Sequence, residues 1–115
     1  MKVLGMHCHP DDIEFVMAGT LLLLKERGHE IHYMNVADGC RGTAEYSLEE
    51  ITRIRREESM AAAELLGATY HESITKDMEV FYTDELIRKA TAVVREVAPD
   101  IMLIASPQDY MEDHM

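Results

Sequence analysis

The chain has 115 residues, of which 29% are charged and 47% hydrophobic. These are the proportions of one globular domain, and the length excludes two domains or a (β/α)8 barrel. The formal net charge of -11 disfavours nucleic acid and anionic membrane surfaces as partners, because such binding depends on Lys and Arg neutralising phosphates. It favours a small neutral or cationic ligand.

No apolar run approaches the ~20 residues that a membrane-spanning helix needs, and the apolar start is too short for a signal peptide. Cys8 and Cys40 lack a CxxC spacing, so they predict neither a disulfide framework nor a structural zinc knuckle. We therefore expect a cytoplasmic protein in a reducing compartment, with no membrane insertion.

The first predicted element is a short apolar strand from Lys2 to Met6 that stops at about His7.

The stretch from Met6 to Glu14 then contains two histidines and three carboxylates. Imidazole nitrogen and carboxylate oxygen are zinc ligands, and an open zinc site needs about three of them plus a water. This stretch supplies two. Paired aspartates at a helix start are also common caps, so spacing alone leaves that interpretation open for Asp11 and Asp12.

The next pattern predicts one helix from Asp11 or Asp12 to Gly28, with apolar positions that include Phe15, Val16 and Leu21. A second strand follows at residues 31–36, and the loop after it has two glycines at residues 39 and 42.

A long helix is predicted to begin at a capping box formed by Ser47 and Glu50, and to end at Gly67. Its apolar stripe consists of Ile51, Ile54, Ala61, Ala62 and Leu65. Arg55 and Glu58 lie at the edge of this stripe. An ion pair at the helix margin and a pocket-lining role are equally good interpretations of these two residues.

The rest of the chain predicts a weak strand at residues 68–71 and then a helix that Thr83 caps and Pro99 ends. Its apolar stripe runs from Leu86 to Val97. Residues 101–105 are continuously apolar, which predicts a strand buried on both faces of a parallel sheet.

This alternation of strands and helices predicts a single α/β domain over residues 1–115, a Rossmann-like three-layer sandwich with a mainly parallel sheet. Ligands of such sheets bind beyond the carboxyl ends of the strands. Polar clusters at residues 7–12, 38–39 and 106–114 follow three predicted strands, so we expect them to meet at one edge. The first cluster reads His-Cys-His-Pro-Asp-Asp instead of G-x-G-x-x-G, so no dinucleotide cofactor is predicted.

Several motifs of the chain resemble those of a known family. The run from His9 to Asp12, the Asp38-Gly39 loop, Arg55 with Glu58, and Asp109-Tyr110 followed by Asp113-His114 resemble the LmbE-like (PIG-L) zinc-dependent de-N-acetylases. The resemblance covers essentially the whole chain and keeps the motifs in order.

The resemblance implies that Zn2+ is held by His9, Asp12 and His114, with other divalent ions left open. It implies that Asp11 is the general base that deprotonates the attacking water, and that Arg55 faces the substrate. The implied reaction is removal of an acetyl group from the nitrogen of a small glucosamine-type substrate. His7 is expected to be a packing or supporting residue, and Asp109 a support for a ligand.

Two departures from the family pattern weaken the expectation of efficient catalysis. Family members often carry His where this chain has Gln108 and Met111, and the second of these positions is linked to stabilising the oxyanion. Methionine cannot donate a hydrogen bond. Relatives also continue well past the final Asp-His pair, so we expect a fragment with an incomplete sheet at its C-terminal side and an exposed apolar edge.

Three functional hypotheses remain open at this point. The first is the N-deacetylase. The second is another zinc-dependent amide or ester hydrolase acting on a non-sugar substrate, and the third is a catalytically weak domain that binds a metal or ligand. A homo-oligomer is left open in each case.

Overall fold

The computed structural model describes all 115 residues. The strands are β1 (Lys2–His7), β2 (Glu30–Asn35), β3 (Thr69–His71) and β4 (Ile101–Leu103). The helices are α1 (Asp12–Val16), α2 (Ala18–Glu26), α3 (Leu48–Leu66) and α4 (Asp84–Val97), followed by a short 3-10 helix, Glu112–His114. No helix is both long enough and apolar enough to cross a membrane.

The four strands form one sheet in the order β3-β2-β1-β4, and every pair is parallel. In the centre of the sheet, Gly5 of β1 pairs with Tyr33 of β2 on one side and with Leu103 of β4 on the other. The predicted parallel α/β sheet is therefore confirmed, with each strand within two residues of its expected bounds.

Alternate residues of the central strands face two separate apolar cores, as the two-residue period of a strand requires. On one face, Val3, Ile31 and Tyr33 pack with residues of α1, α2 and α3. On the other face, Leu4 and Met34 pack with Val97 of α4. The sheet thus lies between two helical layers, which confirms the predicted three-layer sandwich.

The single helix predicted after β1 is wrong, because the structure has two helices that meet at Met17. Met17 is not helical (φ -132, ψ -15) and is buried. A stripe of Ile13, Met17 and Leu21 faces the core at the spacing of one helical face. Phe15 is 83% exposed, so its place in the predicted apolar pattern is also wrong.

The predicted burial of the last strand on both faces is wrong as well. β4 ends at Leu103 and forms an edge of the sheet, where Met102 is 39% exposed and the following Ile104 is 64% exposed. A continuously apolar run is buried on both faces only where helices cover both faces; Ile101 and Leu103 pack against one core, whereas Met102 on the opposite face is only partly covered. The expected apolar edge is present.

Helix α3 begins as predicted. Ser47 Oγ accepts from the N–H of Glu50, and the Glu50 carboxylate accepts from the N–H of Ser47. Its buried face is rotated from the predicted stripe towards Ser59, whose hydroxyl oxygen accepts from Asn35 Nδ2 at 2.9 Å. Leu65 is consequently 87% exposed, contrary to the prediction.

Candidate active site

Three polar segments meet at the carboxyl end of the sheet, as predicted from the strand ends. The segments after β1 and β2 and the segment that ends in the 3-10 helix line an open pocket of about 890 Å³. Helix α3 and the loop after β3 complete its wall. The pocket contains His9, Asp11, Asp12, Arg55 and His114, which are all five predicted site residues.

Three donor atoms from His9, Asp12 and His114 form a small triangle. His114 Nε2 lies 3.2 Å from Asp12 Oδ2 and 3.3 Å from His9 Nδ1, and His9 Nδ1 lies 3.5 Å from Asp12 Oδ2. Tetrahedral zinc with bonds of about 2.1 Å separates its ligands by about 3.4 Å. The donor set and its spacing therefore fit a zinc-type ion, and the structure brings the three predicted ligands together although 105 residues separate His9 from His114.

Each of these two histidines has a carboxylate at its other ring nitrogen. His9 Nε2 lies 2.8 Å from Asp113 Oδ2, and His114 Nδ1 lies 3.2 Å from Asp109 Oδ2. In the neutral imidazole, a carboxylate that accepts from one ring N–H leaves the opposite nitrogen with a free lone pair, which here is directed at the triangle. The sequence prediction of a supporting role for Asp109 agrees with this geometry.

Asp113 and Asp77 are site residues that the sequence prediction missed. The Asp113 carboxylate also accepts from the N–H of Met78 at 2.8 Å. Asp77 is buried, and its Oδ1 lies 4.0 Å from His9 Nε2. The Asp-His pair at the end of the chain was a signal for Asp113, but Asp77 lies in a stretch that the sequence marks only as loop.

His7 lies against the same site. It is buried, its Nδ1 is 3.0 Å from Asp12 Oδ2, and its ring meets the ring of His114 edge-on at 4.8 Å. The N–H of Cys8 donates to this Nδ1 at 2.7 Å, so the lone pair already has a partner. His7 therefore packs against Asp12 and His114, in agreement with the expected packing or supporting role.

The protonation of these groups reflects their mutual contacts. Hydrogen bonding to Asp12, with further contributions from Cys8 and Asp113, raises the pKa of His9 to about 11 in the metal-free protein. Burial alone would raise the pKa of Asp12, but hydrogen bonds from His9 outweigh it and the pKa falls below its ordinary value. Burial raises the pKa of the Cys8 thiol, which keeps it neutral beside His9.

Asp11 and Arg55 are in direct contact. Asp11 has a left-handed backbone (φ 84), which is a strained conformation for a residue other than glycine, and its carboxylate accepts from Arg55 Nη2 at 2.7 Å. Arg55 also donates to Glu58 at 2.7 Å. Arg55 thus combines the two interpretations left open by the sequence, since it forms an ion pair at the helix margin and lines the pocket.

The two positions that depart from the family pattern differ in location. Met111 lines the pocket, where its thioether offers no hydrogen-bond donor. Gln108 does not line the pocket, and its N–H donates to Ser106 Oγ. The departure that bears on the chemistry of the pocket is therefore Met111.

The chain matches the family model of GlcNAc-PI de-N-acetylase, PIG-L, over residues 4–115. It belongs to the PIG-L family. The LmbE-like resemblance inferred from the His-Pro-Asp-Asp and Asp-His motifs is therefore confirmed.

Among its relatives is a diacetylchitobiose deacetylase from Thermococcus kodakarensis, 34% identical over 98% of this chain and 43% of that protein. A 4-oxalmesaconate hydratase from Pseudomonas putida is 29% identical over 98% of this chain and 47% of that protein. A solved N,N'-diacetylchitobiose deacetylase from Pyrococcus horikoshii superposes with a TM-score of 0.90 at 33% identity, covering 98% of this chain and 45% of that one. The chain thus spans less than half the length of each of these relatives.

Proposed function

We propose that the protein is a metal-dependent hydrolase that removes an acetyl group from the nitrogen of a glucosamine-type substrate. The observation that carries this proposal is the triangle of His9, Asp12 and His114 donor atoms, 3.2–3.5 Å apart, beside Asp11 in an open pocket. Membership of the PIG-L family and the diacetylchitobiose deacetylase relative support the choice of an N-acetylated sugar.

In this proposal His9, Asp12 and His114 hold the ion, and Asp109 and Asp113 fix the two imidazole rings. A bound divalent ion supplies Lewis-acid polarisation of the amide carbonyl and acidifies a water. Asp11 accepts the proton from the attacking water and passes it to the leaving nitrogen, which departs as the amine while acetate remains.

The contacts of Arg55 define its role in this proposal. It holds the Asp11 carboxylate through a hydrogen bond of 2.7 Å, so it fixes the direction from which the base acts. Its predicted contact with the substrate remains part of the proposal, since Arg55 lines the pocket.

The experiment is metal analysis together with an amine-release assay. The full chain is stripped with a chelator and reloaded with zinc, and free amine is measured from N-acetylglucosamine and from N,N'-diacetylchitobiose. We expect about one ion per chain, and amine release only in the loaded protein. Absence of bound metal, with no effect of chelator on stability, would sink the proposal. Stoichiometric zinc with no amine released from any acetamide would favour the catalytically weak binding domain.

A second candidate is a hydratase reaction, the addition of water to a double bond. Two observations favour it: the relationship to a 4-oxalmesaconate hydratase, and Met111 in the pocket, which offers no hydrogen bond to the oxyanion of amide hydrolysis. Loss of absorbance from an unsaturated carboxylic acid on incubation with the loaded protein, without activity on acetamides, would select this candidate.

A further inference from the structure

Two arginines line the pocket, and their electrostatic surroundings differ. Arg55 is neutralised by two carboxylates, Asp11 and Glu58, each at 2.7 Å. Arg41 has no carboxylate within 4.0 Å, and its side chain makes no hydrogen bond within the protein. The positive charge of Arg41 is therefore available to a ligand, whereas that of Arg55 is already compensated.

Arg41 is exposed and unpaired in a chain that has 22 acidic and 11 basic residues. Four exposed cations pair with a nearby carboxylate, in Arg53–Glu57, Arg56–Glu72, Arg88–Asp84 and Lys89–Glu85, and the unpaired cations other than Arg41 do not line the pocket. Arg95 also lacks a partner, but it is on α4 and does not line the pocket. The combination of a free charge and a position in the pocket is specific to Arg41.

The backbone around Arg41 is held in place by a buried carboxylate. Asp77 Oδ1 accepts from the N–H of Gly39 at 2.8 Å, and Asp77 Oδ2 accepts from the N–H of Arg41 at 3.1 Å. The N–H of Gly42 donates to the carbonyl of Gly39 and closes a turn around Arg41. Since Asp77 also lies 4.0 Å from His9 Nε2, this turn is anchored beside the predicted metal ligands.

We propose that Arg41 binds an anionic group of the substrate, a carboxylate or a phosphate, so that the pocket selects acidic N-acetylated substrates over neutral ones. The proposal rests on the proposed function for the acetamido end of the substrate. A guanidinium group presents a planar pair of N–H donors that matches two oxygens of either anion.

The overall charge of the protein does not oppose this selection at close range. Charges more than about 8 Å away are largely screened at physiological ionic strength, so the pairing inside the pocket decides the preference. The pocket also contains Glu112, an acid without an ion-pair partner, but Glu112 is on the 3-10 helix and not on the Arg41 turn. The proposal, which is drawn from the local charge, therefore differs from the expectation of a neutral or cationic ligand, which was drawn from the net charge.

Calorimetric titration with three probes tests this inference: N-acetylglucosamine, its 6-phosphate, and N-acetylmuramic acid, which adds a carboxylate. The zinc-loaded full chain is compared with Arg41→Gln, Arg41→Lys and the matched control Arg95→Gln. We expect at least one acidic probe to bind the parent about tenfold or more tightly than the neutral sugar, the effect of a charged hydrogen bond. Arg41→Gln should remove this advantage, Arg41→Lys should keep part of it, and Arg95→Gln should behave as the parent.

The two acidic probes separate phosphate from carboxylate recognition. Equal affinity for all three probes, no binding of either acid, or equal weakening of all three by Arg41→Gln would overturn the role of Arg41. Amine release is scored separately. If the protein releases amine without preference for an acidic substrate, the inference is wrong and the proposed function stands. If an acidic probe binds through Arg41 but no amine is released, the inference stands and the proposed function is wrong.

Discussion

Replacing Asp113 by Asn should weaken metal binding, because this carboxylate makes the shortest contact to a predicted ligand. Its Oδ2 lies 2.8 Å from His9 Nε2 and accepts from the N–H of Met78 at the same distance. An Asn oxygen in the place of Oδ2 can accept both hydrogen bonds but carries no negative charge, so its bond to the ring N–H of His9 is weaker than that of the carboxylate. The His9 ring is then held less firmly, and Nδ1 is less well directed at the other ligands.

Loss of such a supporting carboxylate typically lowers metal affinity or activity 10- to 100-fold. This corresponds to about 1.4–2.7 kcal/mol of binding free energy. The Asp109→Asn variant makes the equivalent change at His114, where the contact is longer at 3.2 Å, so we expect a smaller loss. The Asp84→Asn variant removes an exposed acid that pairs with Arg88 away from the pocket, and it should leave the affinity unchanged.

The assay is competition for zinc between each variant and a chelating dye at fixed pH, with a thermal melt to confirm that each variant is folded. An affinity of Asp113→Asn within twofold of the parent, in a protein that melts normally, would refute the reasoning. It would mean that the position of His9 is fixed by other contacts.

Asp11→Asn should retain zinc and lose about 10²- to 10⁴-fold in turnover, as measured by metal content beside amine release, and parent-like turnover would remove Asp11 from its role. The pKa of His9 is raised to about 11, so below that pH a metal ion must displace a proton from His9 in order to bind. The apparent zinc affinity should therefore rise about tenfold per pH unit between about pH 6 and pH 8. A flat pH profile in the dye competition would contradict this prediction. Ala98 ends α4 in a left-handed conformation (φ 49), which glycine adopts without strain. Ala98→Gly should therefore stabilise the fold by about 1 kcal/mol and raise the melting temperature. As the matched control, Ala92→Gly inside the same helix should lower the melting temperature.

The sequence predicted the fold well wherever local chemistry and packing agree. The capping box at Ser47, the cap at Thr83 and the parallel strands are all present. The break at Met17 could not be predicted, because no Gly or Pro marks it and it depends on packing of a buried side chain. The exposure of β4 could not be predicted either, since it depends on which strands border it.

At the site, residues that belong to a sequence motif were predicted as candidates. Residues that only the topology of the fold places at the site were not predicted. Two motifs at opposite ends of the chain led to His9, Asp12 and His114 as predicted ligands, and the structure brings these residues together. Asp77 was missed, because its contacts with Gly39 and Arg41 join the segments after β3 and β2 and have no local pattern. Contacts between loops that follow neighbouring strands therefore could not be predicted.

Side-chain contacts of residue 9 with residues 113 and 114 connect the two ends of the chain. These contacts close a loop of nearly the whole chain, and such long-range closure carries a high entropic cost before any contact offsets it. An ion bound by His9, Asp12 and His114 would act as a cross-link between the two ends and would stabilise the native state in proportion to the logarithm of its free concentration. The last strand and the 3-10 helix lie at this closure, so they should be among the late segments to order and the first to fray when a chelator is added.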